Sequence, residues 1–240
     1  MEGSLNGGEA DARLPGGRGV LEGAFALLDS LERVREAGLT RLADDSGLPK
    51  ATAYRLLEQL TVLGAAEKVG ARYRIGPRMR RLGHTWRPDP VLEQAVRAPM
   101  RNFVRTTGAA VWLCLLSAGQ TIAVGGAPGR VPYFSPPHPG AVVGWPTAVA
   151  KVLAVCSREA SGLALESPRW RRDAASIREA GIAFDREENT PGVSCVATPV
   201  LDRGGTLIAA ICSPVEAVRP LADLAQNLVR TSKAVTAALH

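Results

Sequence analysis

From Val20 to Glu36 apolar residues return every three or four positions, with Leu21, Ala24, Phe25, Leu28 and Leu31 on one side, which predicts an amphipathic helix. The same period then appears twice between Leu39 and Gly64, across a short break. In the first stretch Leu42 and Ala43 form the inward side, Thr40 is placed to cap the start, and Gly47 offers the left-handed residue that ends it. Pro49 stands where the second helix begins, its missing N–H costing nothing there. In that helix Ala53, Leu56, Leu57, Leu60 and Leu63 make one stripe for burial. After Gly64 the period changes to alternation: AAEKVGARYRIG reads as two short strands around Gly70-Ala71, with Val69 before the turn and Tyr73 and Ile75 after it. Two helices joined by a tight turn, followed by a hairpin, outline a winged helix-turn-helix over 20–83, with the Val20 helix covering its back and offering a surface for pairing subunits.

Residues 1–19 are rich in Gly and polar groups and are expected to form a disordered tail. A break around Trp86-Arg87-Pro88-Asp89-Pro90 leads into a linker segment over 84–108, whose helix, Val91 to Thr107, carries Pro99 in its interior and should kink or split there. The pattern from Ala109 onward is different. Strand-like runs at Ala109–Ser117, Thr121–Gly125, Val193–Leu201 and Leu207–Cys212 are interspersed with helical segments, Asp202-Arg203-Gly204-Gly205 marks a turn, and Leu221–Leu239 is a closing amphipathic helix. His138-Pro139-Gly140 reads as a loop leading into a strand. The alternation lacks βαβ regularity, which predicts an α+β domain over 109–240 built on one antiparallel sheet.

The face opposite the Leu56 stripe carries Lys50, Ala51, Thr52, Tyr54, Arg55 and Gln59: small residues for close approach, hydroxyls and an amide for base edges, and cations for phosphates. The hairpin and its exit add Lys68, Arg72, Arg74, Arg78, Arg80 and Arg81, with only Glu67 nearby in opposition. A concentration of one sign beside a helix-turn-helix points to double-stranded DNA. The net charge of +6 over 240 residues agrees without deciding anything. No apolar run is long enough to span a bilayer and the first residues lack a signal pattern, so a cytoplasmic, nucleoid-associated protein is expected. Cys114, Cys156, Cys195 and Cys212 are too scattered for a zinc site or a disulfide framework, His84, His138 and His240 do not pair at metal spacing, and no phosphate loop or GxSxG occurs. Neither an enzyme, a metal nor a cofactor is expected.

The order of these features, with LPKATAYRLL in the second helix, RYRIGPRMRRLG at the wing exit and DREENTPGVSCVATPVLDRGG later, resembles the IclR-type bacterial transcription regulators across nearly the whole chain after the tail. The resemblance implies a winged helix-turn-helix joined by a kinked linker helix to a GAF-like effector-binding domain, assembly as a homodimer or dimer of dimers (homotetramer), and repression or activation of a metabolic operon under control of a small molecule. It places DNA contacts on Arg41, Lys50, Ala51, Thr52, Tyr54, Arg55, Arg72 and Arg74. For the effector it implies Asp185, ten residues before Cys195, and the amides of Ala148 and Val149 at a helix start. Two departures bear on the ligand. Trp145-Pro146 replaces the family's usual histidine segment, and ICSPVE replaces a serine-rich one, so that Cys212 and Pro214 stand where hydroxyls are usual, with Ser213 between them. Together with Trp112, Leu116 and Val193 they suggest a carboxylate or larger metabolite less polar than a two- or three-carbon acid. An alternative reading makes Cys195 and Cys212, on adjacent strands, a thiol pair sensing oxidants, though no cation stands beside Cys195 in sequence to activate it.

Overall fold

The computed structural model describes residues 19–157 and 168–239, so the tail predicted for 1–19 lies, Gly19 apart, outside the described residues. Two compact units divide the chain between Arg87 and Pro88.

The N-terminal unit runs α1 (Val20–Val34), β1 (Glu36–Gly38), α2 (Leu39–Ser46), α3 (Lys50–Val62), β2 (Ala66–Val69), β3 (Arg72–Ile75) and α4 (Pro77–Thr85). Leu27, Leu31, Leu42, Ala53 and Leu57 are completely buried at its centre. The buried side of α1 is rotated from the expected one: Gly23, Leu27, Leu28 and Leu31 face inward, whereas Leu21 and Phe25 remain 76% and 59% exposed. Gly23 explains the rotation, because a Cβ there would meet Leu56 at 3.0 Å; its bare backbone lets α1 sit directly on α3. Thr40 does not cap α2. The cap position is Gly38, one residue ahead of the helix, and it bears no side chain to accept a hydrogen bond. Gly47 ends α2 as expected, with φ of 61° and its amide on the carbonyls of Ala43 and Asp44. Leu63 falls past the end of α3 and is exposed, leaving Ala53, Leu56, Leu57 and Leu60 as the buried stripe.

The hairpin closes through Gly70-Ala71, with Val69 directly opposite Arg72, and a third strand that periodicity could not show completes the sheet in the order β1-β3-β2. β1 spans three residues, too few for an alternation to register. α4 also had no apolar stripe to reveal it, since none of its residues is buried. The expected linker over 84–108 therefore resolves into the end of α4, a break over 86–89, and α5 (Pro90–Thr107). Asp89 starts α5 by accepting from the amides of Val91 at 2.7 Å and Leu92 at 3.3 Å. The helix passes unbroken through Pro99. Leu92, Ala95 and Val96 before the proline, and Met100 and Phe103 after it, are all buried in the same core, which holds both halves against the lost hydrogen bond.

In the C-terminal unit α5 is followed by β4 (Val111–Ser117), β5 (Gln120–Ala127), a 3₁₀ turn at Pro132–Phe134, α6 (Ala148–Cys156), α7 (Pro168–Ala180), β6 (Ala183–Arg186), β7 (Val193–Leu201), β8 (Leu207–Glu216) and α8 (Ala222–Ala238). The strands form one antiparallel sheet in the order β5-β4-β8-β7-β6. β6 was not anticipated, and after His138 the chain makes only an isolated bridge to β5 at Val142 rather than a strand. Alternation assigns the two faces. Val111, Leu113, Val196, Ile211 and Val215 pack under α5 and α8, while Cys114, Ala123, Cys195, Ala197, Ala210 and Cys212 pack under α6 and α7. The second face is built of small side chains, so α6 descends close to the sheet and buries Val149, Val152 and Leu153; each contributes about 1.5–3 kcal/mol.

Candidate functional site

The N-terminal unit presents α3 with Lys50, Ala51, Tyr54, Arg55 and Gln59 exposed and Thr52 half-buried, a polar face held on a fully apolar base. Arg41 is exposed on α2 and loosely paired with Asp45 at 3.6 Å. The wing differs from its sequence reading. Arg74 does meet Glu67 at 2.7 Å, but Arg72 meets Glu36 at 2.9 Å and also donates to the Glu36 carbonyl, and Lys68 meets Glu58 at 3.4 Å. Glu36 and Glu58 oppose the wing from β1 and α3, positions that local sequence counting does not connect to it. Lys68 lies 6.0 Å from the Tyr54 ring, and its pKa is pushed up, first by its hydrogen bond to Tyr73 and then by Glu58. Arg78 donates to the Leu63 carbonyl at 3.0 Å, which docks the start of α4 against the end of α3. Arg80 and Arg81 extend the exposed cationic run along α4.

In the C-terminal unit the register brings the expected effector residues into rows. Asp185 on β6 stands opposite Cys195 on β7, which stands opposite Pro214 on β8; the next row on this face aligns Ala183, Ala197, Cys212 and Trp112. Val193 shares the face at the start of β7. Ala148 and Val149 open α6 above it. Thr147 caps the helix by accepting from the Ala150 amide at 3.4 Å, and the first two amides have no acceptor within the helix. Trp112 uses its indole N–H on the Phe134 carbonyl at 3.1 Å, so its ring is a fixed wall and not a free donor. Trp145 is 39% exposed ahead of α6. Ser213 is a correction: it alternates to the opposite face and its hydroxyl donates to the Ala110 carbonyl at 2.6 Å, which removes it from the candidate set.

Asp185 is only 4% exposed. Burial pushes its pKa above the usual carboxylate value, opposed by the amides of Glu188 and Asn189 and by the Lys151 ammonium. Lys151 is the residue that the sequence reading passed over. It lies on α6 at 4% exposure, and its Nζ donates to the Phe184 carbonyl at 3.0 Å and to Glu188 at 2.6 Å. Two residues after Val149, this ion pair pins the open end of α6 over β6 and β7. Its signal was present as the single charge inside the apolar run AVAKVLAVC. The Cys212 thiol, hydrogen-bonded to those of Cys114 and Cys195 and wholly buried, has its pKa raised well above the ordinary value. Cys195 and Cys212 do come together, but both are buried, and the raised pKa of Cys212 is the reverse of what an oxidant sensor needs.

Both units carry the marks of a known family. The profile of the IclR helix-turn-helix domain matches residues 20–70, and that of the bacterial transcriptional regulator IclR C-terminal domain matches residues 164–239. The chain belongs to the IclR family. Among curated relatives it is 28% identical over 210 residues to the HTH-type transcriptional regulator XynR of Escherichia coli, covering 80% of this chain and 83% of that one. It is 26% identical over 216 residues to the regulator KdgR of the same organism, covering 78% of each. Solved structures of low identity share the fold: an IclR family regulator from Brucella abortus superposes with a TM-score of 0.76 at 16% identity, covering 91% of this chain and 92% of that one. An IclR homologue from Microbacterium hydrocarbonoxydans, crystallised with 4-hydroxybenzoate, superposes at 0.70 with 15% identity, covering 92% of this chain and 99% of that one. The chain is thus a DNA-binding transcriptional regulator from a family of regulators, not enzymes. Among the described residues no helix is long and apolar enough to cross a membrane.

Proposed function

We propose that two copies of this regulator set their α3 helices in successive major grooves of a pseudo-palindromic operator. Lys50, Ala51, Thr52, Tyr54 and Arg55 meet base edges and the adjoining backbone, and Arg41, Arg72 and Arg74 meet phosphates. The exposed Leu21 and Phe25 of α1 support pairing of two N-terminal units, since large apolar side chains at that exposure are costly in water. The effector lies between the start of α6 and the sheet, where Asp185, Cys195, Val193, Cys212, Trp112 and Trp145 surround the amides of Ala148 and Val149. Binding there favours one geometry of the dimer or dimer of dimers over another and changes half-site spacing; a ligand indifferent to the two would regulate nothing.

The row Asp185–Cys195–Pro214 beneath an open helix start carries this reading, because it offers one buried acid and two amides within an otherwise apolar wall. Such a wall suits an organic acid with an apolar body, and a neighbour of the same fold that holds 4-hydroxybenzoate supports that class. Calorimetric titration of the full chain with glyoxylate, pyruvate and 4-hydroxybenzoate tests it. The aromatic acid should bind and the two small acids should not, with Ala148→Glu removing the binding event between α6 and the sheet. Tight binding of glyoxylate would overturn the assignment of ligand class.

A further inference from the structure

The face of the sheet away from the effector candidates also holds a cleft. It has a volume of about 530 Å³ at the open ends of β6 and β7 and is bounded by Phe184, Arg186, Ser194, Val218, Arg219 and the start of α8. Ser194 shares the side of β7 that carries Val196, under α5 and α8, so this cleft is separated from Asp185 and Cys195 by the sheet itself.

Three observations there converge on an anion. Ser194 is 4% exposed, and its hydroxyl meets no hydrogen-bond partner among the described residues, an arrangement that costs free energy unless something else completes it. The N-terminus of α8 opens onto the same space with Leu221 at its cap position and no side chain accepting from its first amides. Two guanidinium groups line the walls. Arg186 lies over the Phe184 ring at 4.7 Å, and Arg219 donates one N–H to the Thr107 carbonyl at 2.6 Å while retaining others. One acid, Glu187, also lines the cleft, and its carboxylate accepts from the Gly192 amide at 2.9 Å. Phe184 and Val218 supply apolar walls beside the cations.

We infer that this cleft is a second small-molecule site, taking a monoanion with an apolar body. The carboxylate sits among Ser194, Arg186 and the first amides of α8, and the body rests against Phe184 and Val218. 4-Bromobenzoate is a suitable probe because its bromine can be located directly. Crystals of the full chain grown with it should show an anomalous peak in the cleft. In calorimetry on the Ala148→Glu background, which removes the site between α6 and the sheet, Arg186→Gln should weaken binding about tenfold, since a charge-assisted contact is lost. Ser194→Ala should also weaken binding while leaving the melting temperature unchanged or raised, because the hydroxyl holds nothing in the free protein. Absence of a peak in the cleft, a peak confined to the α6 side of the sheet, or unchanged affinity in both variants would overturn the inference.

Discussion

Substituting Glu36 by glutamine removes the carboxylate that holds Arg72 at 2.9 Å while leaving the backbone carbonyl to which Arg72 also donates. The two side chains are 56% and 40% exposed, so the pair is of the surface kind and contributes about 0.2–1 kcal/mol. If Arg72 reaches a phosphate, it gives up that pairing on binding, and the same amount is subtracted from affinity. Glu36→Gln abolishes this cost and should tighten DNA binding by up to about fivefold. Arg72→Ala should do the reverse, lowering affinity and reducing the slope of log K against log salt by about 0.9 per protomer, one phosphate contact's worth of released counterions. Because that attraction does not depend on sequence, fluorescence anisotropy with any labelled duplex over a series of potassium chloride concentrations measures both effects. Glu36→Gln should leave the slope as it is. Should Arg72→Ala keep the wild-type slope and Glu36→Gln fail to tighten binding, Arg72 is a brace between β1 and β3 and the wing does not grip phosphate through it.

Lys151→Met keeps the apolar stem but deletes both hydrogen bonds and leaves Glu188 beside the buried Asp185 with no cation; destabilisation of about 2–4 kcal/mol is expected in urea unfolding followed by tryptophan fluorescence. The double variant with Glu188→Gln should recover part of that loss, and a cost below about 0.5 kcal/mol for the single variant would contradict the pinning role. Asp185 gives a pH signature. Its folded pKa lies above the usual 3.8, so the stability it contributes is present in full below that value and is lost as pH rises through the folded pKa. Asp185→Asn should therefore raise the melting temperature near neutrality, with the gap closing in acid; a gap that widens in acid would show that the ionised carboxylate is the stabilising form. Gly76→Ala would drive a methyl into the carbonyl oxygen of Gly64, where β3 leaves the sheet beside the end of α3. A loss of about 1–3 kcal/mol is expected, with weaker DNA binding as the wing shifts.

What the chain reveals locally is what local physics controls. The periodic runs at Leu27–Leu31, Ala53–Leu60, Val193–Leu201 and Ala222–Ala238 specify their own helices or strands, and Gly47, Asp89 and the Asp202–Gly205 turn punctuate them, because each depends on neighbours within a few residues. The polar face of α3 was legible for the same reason, whereas the Asp185–Cys195 spacing gained meaning only through the resemblance to the family. Elements without an internal pattern were not: β1 and β6 are short, α4 buries nothing, and all three were missed. The face of α1 was misjudged because Gly23, a residue with no side chain to count, sets its contact with α3.

Charge partnerships between distant segments were decided by tertiary structure. Arg72 finds Glu36, Lys68 finds Glu58 and Lys151 finds Glu188 across gaps in sequence that only strand pairing and helix docking close. The fate of each hydroxyl and thiol was settled the same way: register sends Ser213 to Ala110, gathers Cys195 and Cys212 into a dry cluster, and leaves Ser194 facing a cleft. Periodicity says which face a side chain takes, but only the fold says what stands opposite it, and for polar groups the partner determines the energetics.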